Sequence, residues 1–401
     1  MKKTDTPMVV VAPDRARQDE MYEFIAKVFS HRGYFTFRDY CRDRYIGHSR
    51  YDWAASRVGL IDNQMVTHWG VWDYSMRIGA CTVRAAGIGV VATHGDFRNR
   101  GLMAKTAQPS IDAMKPLGYD MTLLFGIWNF YHRFGYVRAW PDVKHVIAAG
   151  LLPPQKPQRA AKKFTPAQRD DLDRLYNRYY ANLTGTAVRP TYDTNRYPEK
   201  WNGVLWESGG KAEGYIVYGQ DGKLLDVIEA VGEVDQCLRT VSALCRKFCC
   251  SEAAFTAMPY EHPIARRLRQ GNCRVESNYT ANGGPMVHMI NLASTLTKIA
   301  PELSRRLKAS CFADWRGALL IEDPREKALL KIDRGRVTTG LAAATPHAIR
   351  GGEHIAQLVI GTHDTGDTIE GGKIKLTGAA AALAPILFPN QHPILGLWDH
   401  Y

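Results

Sequence analysis

One stretch of the chain limits the available folds more than any other. Residues 83–136 read VRAAGIGVVATHGDFRNRGLMAKTAQPSIDAMKPLGYDMTLLFGIWNFYHRFGY. Small and β-branched residues fill 83–93, and an arginine-glycine turn follows at Arg98-Asn99-Arg100-Gly101. A helix-length stretch then runs from Leu102, and a second apolar run occupies 121–127. The first amides of a helix lack intrahelical acceptors, so a strand feeding such a turn makes an anion site. Arg98 and Arg100 add charge where phosphate oxygens would lie. The order strand, turn, helix, strand predicts a phosphorylated ligand.

Strict alternation along 84–93 puts Ala85, Gly87, Gly89, Val91 and Thr93 on one face, with Arg84, Ala86, Ile88, Val90 and Ala92 on the other. Glycines inside a strand mark a bulge or a close approach by another group. Gly87 and Gly89 therefore admit either an extended ligand arm or a large side chain such as Trp69 or Trp72. Pro109 falls inside the helix-length stretch, where it removes a backbone hydrogen bond, so the helix is expected to kink or to end there.

These residues resemble the acyl-CoA-binding core of GNAT-superfamily acetyltransferases, whose turn follows (Q/R)-x-x-G-x-(G/A). Arg98 to Met103 matches it, with Met103 replacing the last small residue. The flanks VVATH and F-Y-x-R-F-G-Y (130–136), the R-I-G at 77–79 and the C-terminal region extend the likeness. The whole chain is similar to the enhanced intracellular survival (Eis) type. The resemblance implies an α/β (α+β) fold of three parts. Residues 1–150 would be a GNAT domain with a splayed mixed sheet, and 151–288 a degenerate GNAT-like domain that binds no cofactor. Residues 289–401 would be a sterol-carrier-like α/β domain whose C-terminus enters the active site.

The same resemblance implies acetyl-CoA as cosubstrate. Its pantetheine arm would lie between parted strands, with a main-chain N–H among Val91, Ala92 and Thr93 as oxyanion donor. Arg98, Asn99, Arg100, Gly101, Leu102 and Met103 would hold the pyrophosphate, mostly through backbone. The family's general acid aligns with Tyr131, the first tyrosine of its segment, and its base with the α-carboxylate of Tyr401. His94 and His132 compete for the base, and Asp399 is expected to attract a cationic acceptor. That acceptor would be a primary amine of small polyamine or aminoglycoside type. Alternatives are a protein lysine, or no catalysis and a CoA- or lipid-sensing role. A trimeric or hexameric homo-oligomer is also implied.

Length and charge set outer bounds. A chain of 401 residues exceeds one ordinary core, which favours two or three domains. The net charge of +12 is dispersed and forms no basic stripe with aromatic platforms, so it points to an anionic ligand and not to nucleic acid. The apolar run near Met8 is short and closed by Pro13, which argues against a signal peptide, and no stretch reaches the ~18 apolar residues of a membrane span. Eight cysteines without a leader suggest reduced thiols and a cytoplasmic protein. Cys245, Cys249 and Cys250 lack metal-ligand spacing and are expected to be buried small hydrophobes, with no metal site.

Apolar periodicity predicts helices over 17–29, 165–180, 234–248 and 292–308. Strands are expected at 58–61, 65–74, 76–83, 215–218, 224–231, 319–322, 327–332 and 336–339, with a proline-rich linker at 151–166. Residues 34–45 mix aromatics with Asp39, Asp43 and arginines, as either an acceptor wall or a solvated helix pair. Leu395, Leu397, Trp398 and Tyr401 are oddly apolar for a free end, which predicts a docked tail.

Overall fold

A computed structural model describes residues 7–127, 129–191, 202–371 and 373–401, so Lys2 and Lys3 of the expected leaderless N-terminus lie outside it. Three mixed sheets organise the chain. The first runs β1 (Val9–Val11), β2 (Arg57–Ile61), β3 (Gln64–Ile78), β4 (Cys81–Thr93) and β5 (Met121–Ile127), then Asn282–Met289 and Val137–Arg138. Only β4 and β5 are parallel in it; every other neighbour is antiparallel. Helix α1 (Gln18–Val28) buries Met21, Phe24 and Ile25, the expected stripe, and α2 (Tyr34–Tyr40) packs beside it. Both lie on the sheet face that carries Trp72 and Ala92. On the opposite face α3 (Leu102–Met114) packs Met103, Ala107 and Ile111 against Trp69, Ala86 and Ile88.

The second sheet also has seven strands and one parallel pair, Leu224–Val231 with Glu252–Thr256, joined by the helix Val234–Phe248. The third has five strands and covers the helix Leu292–Lys308. Both helices match their expected bounds because each carries an unbroken apolar stripe and a side-chain cap, from Glu233 and Asn291 respectively. No helix among the described residues is long and apolar enough to cross a membrane.

Several expectations need correction. The strands expected at 65–74 and 76–83 merge into β3 as far as Ile78, because β4 pairs with it as far as Cys81, and residues 81–83 begin β4. The reversal comes at Gly79, whose φ of +57° suits a tight hairpin. Helix α3 continues through Pro109 to Met114, packed on the sheet on both sides of the proline. Cys249 is exposed, since it ends its helix in a left-handed conformation, whereas Cys245 and Cys250 are buried. The sheets also exchange strands across the expected limits at 150 and 288. Asp142–Ala148 belongs to the second sheet, and Asn282–Met289 returns to pair with β5 in the first.

Four buried histidines, His68, His145, His262 and His288, are held neutral, with burial lowering each pKa from 6.5 to about 4. The unfolded chain therefore binds more protons than the folded one between those two values, and stability falls as pH falls through that window. Urea unfolding measured from pH 7.5 to 4.5 should show a midpoint steady above about 6.5 and declining steadily below it; a flat midpoint would contradict the burial of these rings.

Candidate functional site

The site begins with a fault in the β3–β4 ladder. The register jumps from Gly70 opposite Gly89 to His68 opposite Ala92, so β4 carries one extra residue there. Val90 takes the strain with a φ of +39°. Its carbonyl turns to His68, whose Nδ1 lies 2.8 Å away, and His68 Nε2 is 2.7 Å from the Tyr51 hydroxyl. A carbonyl can only accept, so the neutral ring carries its proton on Nδ1 and accepts the Tyr51 hydroxyl at Nε2. A buried histidine and tyrosine thus pin the bulge.

The bulge changes what β4 presents. β5 pairs with β4 only from Ala85 to Ile88; beyond that the strands part. The extra residue moves Val91 onto the α3 face with Ala86 and Ile88, and leaves Ala92 on the α1 face. His94 N donates to Val66 O at 2.9 Å on β3. Alternation then sends the amides of Thr93 and Val91 toward the parted edge and that of Ala92 toward β3. Val91 and Thr93 are half-buried and line the cleft beside the gap, and Ala92 is buried.

Below the gap opens a cleft of about 650 Å³, lined by Val91 and Thr93, residues 97–104, Val28, Phe29, Phe130, Tyr131 and Phe134. Gly101 caps α3 with a φ of +70° and no side-chain cap, so the first amides of α3 are open to a ligand. Arg98 and Arg100 are exposed, and neither has a carboxylate partner among the described residues. Leu102 and Met103 line the cleft through their start of the helix, but their side chains are buried: Leu102 against Ile61 and Val66, Met103 beside Trp69 and Ala107. Met103 therefore replaces a small residue without filling the anion site.

Two strand positions set the remaining candidates. Tyr131 lies over Gly126 of β5, where a Cβ would come within 2.6 Å of its Cδ2. Its ring meets Trp69 edge-on at 6.0 Å, and burial pushes its phenol up to about 12. The preceding residue, Phe125, points to the other face and contacts the tail: His400 stacks on it at 3.9 Å, and the Tyr401 ring lies 5.6 Å away. Tyr401 also fills the space over Gly87, where a Cβ would sit 2.5 Å from its Cδ1. Gly87 thus makes room for the docked tail, and Gly89 for Trp72 and the Tyr45 hydroxyl. Tyr131 and Tyr401 consequently occupy opposite faces of the sheet, on either side of the gap.

The other expected groups lie elsewhere. His94 Nδ1 accepts the amide of Asp96 at 3.4 Å within the turn, and His132 lines a separate hollow with Arg138 and Thr280. Asp399, expected to attract a cation, is only 1% exposed and is held by Arg189. Sequence reasoning missed His68, whose one signal is a histidine inside an apolar strand run, and Arg189 and Glu229, which had none.

Residues 12–139 match the family model of the acetyltransferase (GNAT) domain. That part of the chain is a GNAT acetyltransferase domain, a family whose donor is an acyl-CoA. The likeness in fold goes further than the domain. The chain superposes over 98% of its length on 99% of a conserved protein from Enterococcus faecalis V583 described as a probable N-acyltransferase, at 16% identity and a TM-score of 0.76. A GCN5-related N-acetyltransferase from Kribbella flavida matches over 97% of this chain and 99% of its own, at 15% identity and 0.74. Eis1 from Mycobacterium abscessus does so over 97% and 99%, at 13% identity and 0.66. The chain therefore shares its three-sheet fold with Eis1 over nearly its whole length. No curated protein matches the chain significantly in sequence.

Gly87→Val would drive a β-branched side chain into the Tyr401 ring. The variant should fold, bind CoA as the parent does, and lose its C-terminal residues to carboxypeptidase at least ~10-fold faster. Equal resistance would show that the tail does not depend on this glycine.

Proposed function

We propose that the protein transfers an acetyl group from acetyl-CoA to a primary amine, with residues 1–150 as the catalytic unit, 151–288 as a degenerate GNAT-like domain and 289–401 as the carrier of the tail. The observation that carries this reading is the parted β4–β5 pair with Tyr131 on one face and the chain terminus on the other. What supports the donor assignment is chemical fit: open helix amides at 101–103, the exposed cations Arg98 and Arg100, and the strand residues Val91 and Thr93, all on one cleft. When bound, acetyl-CoA supplies the thioester carbonyl that the amine attacks. The amides of Val91 and Thr93 would donate to the carbonyl oxygen as it gains charge.

The amine would enter from the α1–α2 face. Its nitrogen forms a bond to the carbonyl carbon, and the carbon–sulfur bond breaks. The Tyr401 α-carboxylate would orient the amine and take its proton through water, while the Tyr131 hydroxyl donates a proton to the departing sulfur. A phenol held at about 12 stays protonated throughout the working range, which suits a donor.

The acceptor expected from the resemblance is a small polyamine or aminoglycoside. The wall around Tyr401 supports a different body. Phe37, Tyr40, Tyr45 and Trp72 form a ladder with successive centroids 6.1, 5.3 and 4.5 Å apart. The carboxylates on that wall are already neutralised: Asp39 by Arg38 and Arg42 at 3.0 and 3.2 Å, Asp43 by Arg42 at 2.7 Å. Phe37, Tyr45 and Trp72 are at most 8% exposed, so a ligand meets the ladder at half-buried Tyr40. A polycation would find no unpaired carboxylate on that wall among the described residues, whereas a monoamine on an apolar body would rest against that ring. In a panel scored by CoA release, arylalkyl monoamines should exceed spermidine and aminoglycosides in kcat/KM; the reverse order would overturn this acceptor class.

Tyr131→Phe should keep CoA affinity and cut kcat by roughly 10²-fold or more. In the parent enzyme, kcat/KM for the amine should climb as the amine loses its proton and show no decline below pH 10, because the raised phenol pKa postpones loss of the acid. Full turnover by Tyr131→Phe would remove the acid assignment.

A further inference from the structure

The tail that ends in Tyr401 is gripped two residues upstream by a buried ionic joint. Arg189 Nε donates to Asp399 Oδ1 at 3.1 Å and Nη2 to Oδ2 at 3.0 Å. The same guanidinium forms a second fork with Glu229, Nη1 to Oε1 at 2.8 Å and Nη2 to Oε2 at 2.6 Å. Tyr215 donates its hydroxyl to Glu229, and the Tyr176 ring lies 3.5 Å from the guanidinium carbon. All three charged side chains are at most 4% exposed. Arg77, also buried and bonded to Asn177, brings a second cation near Asp399, and an apolar set of similar volume would often match or exceed such a buried network in stability. Specific placement is the better account of such a cluster.

What it places follows from its surroundings. Arg189 closes the segment 183–189, which is bonded to all three parts of the molecule. Arg77 N donates to Thr186 O at 2.8 Å, Gly185 N to Arg77 O at 2.9 Å and Val188 N to Ser75 O at 2.8 Å, so the segment extends the far end of β3. Asn177, on the helix Arg169–Tyr179, takes the Arg189 amide at 2.9 Å and donates to its carbonyl at 2.6 Å. The tail joins through Ile394 N, 3.2 Å from Thr184 O, and through Asp399 itself. Glu229 stands on the strand Leu224–Val231 beyond Val227, where that strand has lost its parallel partner. The middle sheet thus repeats the parting seen in β4, and in the second copy the freed length holds an ion-pair partner for the tail.

We propose that Arg189 and Glu229 are positioning residues for the C-terminal carboxylate: the middle domain clamps Asp399 so that the chain end enters the catalytic sheet at Gly87. Two residues of chain reach no further than about 7 Å, so fixing Asp399 confines the terminus to that radius. The proposal rests on the reading above that this carboxylate takes part in the transfer.

The test uses the full chain and three variants, with the best amine from the panel as acceptor. Asp399→Asn leaves the Arg189–Glu229 fork intact and is the mildest. Arg189→Lys keeps the charge and loses the fork geometry. The third chain stops at His400. Asp399→Asn and Arg189→Lys should each lower kcat/KM for the amine at least tenfold while CoA affinity stays within twofold. Removing Tyr401 should abolish transfer, and adding Asp399→Asn to that truncation should change nothing further, since both act through one group. Unchanged amine kinetics in Asp399→Asn, beside an inactive truncated chain, would overturn the clamp and leave the terminal carboxylate in place. A parallel loss of CoA affinity would assign the joint to general stability and also overturn the clamp. An active truncated chain would instead overturn the reading on which the proposal rests.

Discussion

One extra residue in β4 governs the rest of the catalytic domain. Were β3 and β4 paired without a bulge, β4 would continue its ladder with β5, and its amides would be consumed by the sheet. The bulge at Val90 re-aims the strand, and the parallel pairing stops at Ile88. Holding that conformation requires a partner for a displaced carbonyl, supplied by a histidine that burial keeps neutral, whose tautomer that carbonyl fixes and whose far nitrogen accepts the Tyr51 hydroxyl. The gap so created is open to a ligand on the α3 face and to the chain's own end on the other. A fault in hydrogen bonding, stabilised by two buried side chains, thereby opens a cleft at the parted edge of a sheet.

The middle sheet shows the same device put to another use. Its parallel pair also stops halfway, after Val227, and the neighbouring strand shifts register between Val217 and Tyr218. No arginine-glycine turn stands between Val231 and Leu238 after it. Instead Glu229, past the end of the parallel pair and still paired with Val217 on its other side, faces a buried arginine. A fold that parts two strands has polar backbone and side chains to satisfy on the freed edge, and either a ligand or another piece of chain can satisfy them. The third part of the molecule supplies that piece through Asp399, and it supplies the terminus to the first sheet two residues later.

What could be read in the sequence was whatever local pattern encodes. Helices 234–248 and 292–308 show one apolar stripe and a cap, and they form at those bounds. The turn at 98–101 announces a helix start with open amides, and the apolar C-terminal residues announce a docked tail. What escaped depends on contacts distant in sequence. Strict alternation along 84–93 placed Val90 opposite its true face, because the bulge is set by His68 from another strand. Asp399 looked like a solvent-facing attractor since its partner lies 210 positions away. The exchange of Asp142–Ala148 and Asn282–Met289 between sheets has no local signature, as a strand's apolar pattern does not name the sheet that it joins.

The account's central claim is that the parted edge of β4 receives the donor through its outward amides. Backbone amide resonances of isotope-labelled protein, followed as CoA is added, address that claim at the residues concerned. The account predicts large shifts and slowed hydrogen exchange at Val91 and Thr93 and at the first amides of α3, with Ala92 and His94 little changed because β3 already holds them. Saturating CoA that leaves Val91 and Thr93 unmoved, or that perturbs Ala92 and His94 instead, would contradict it.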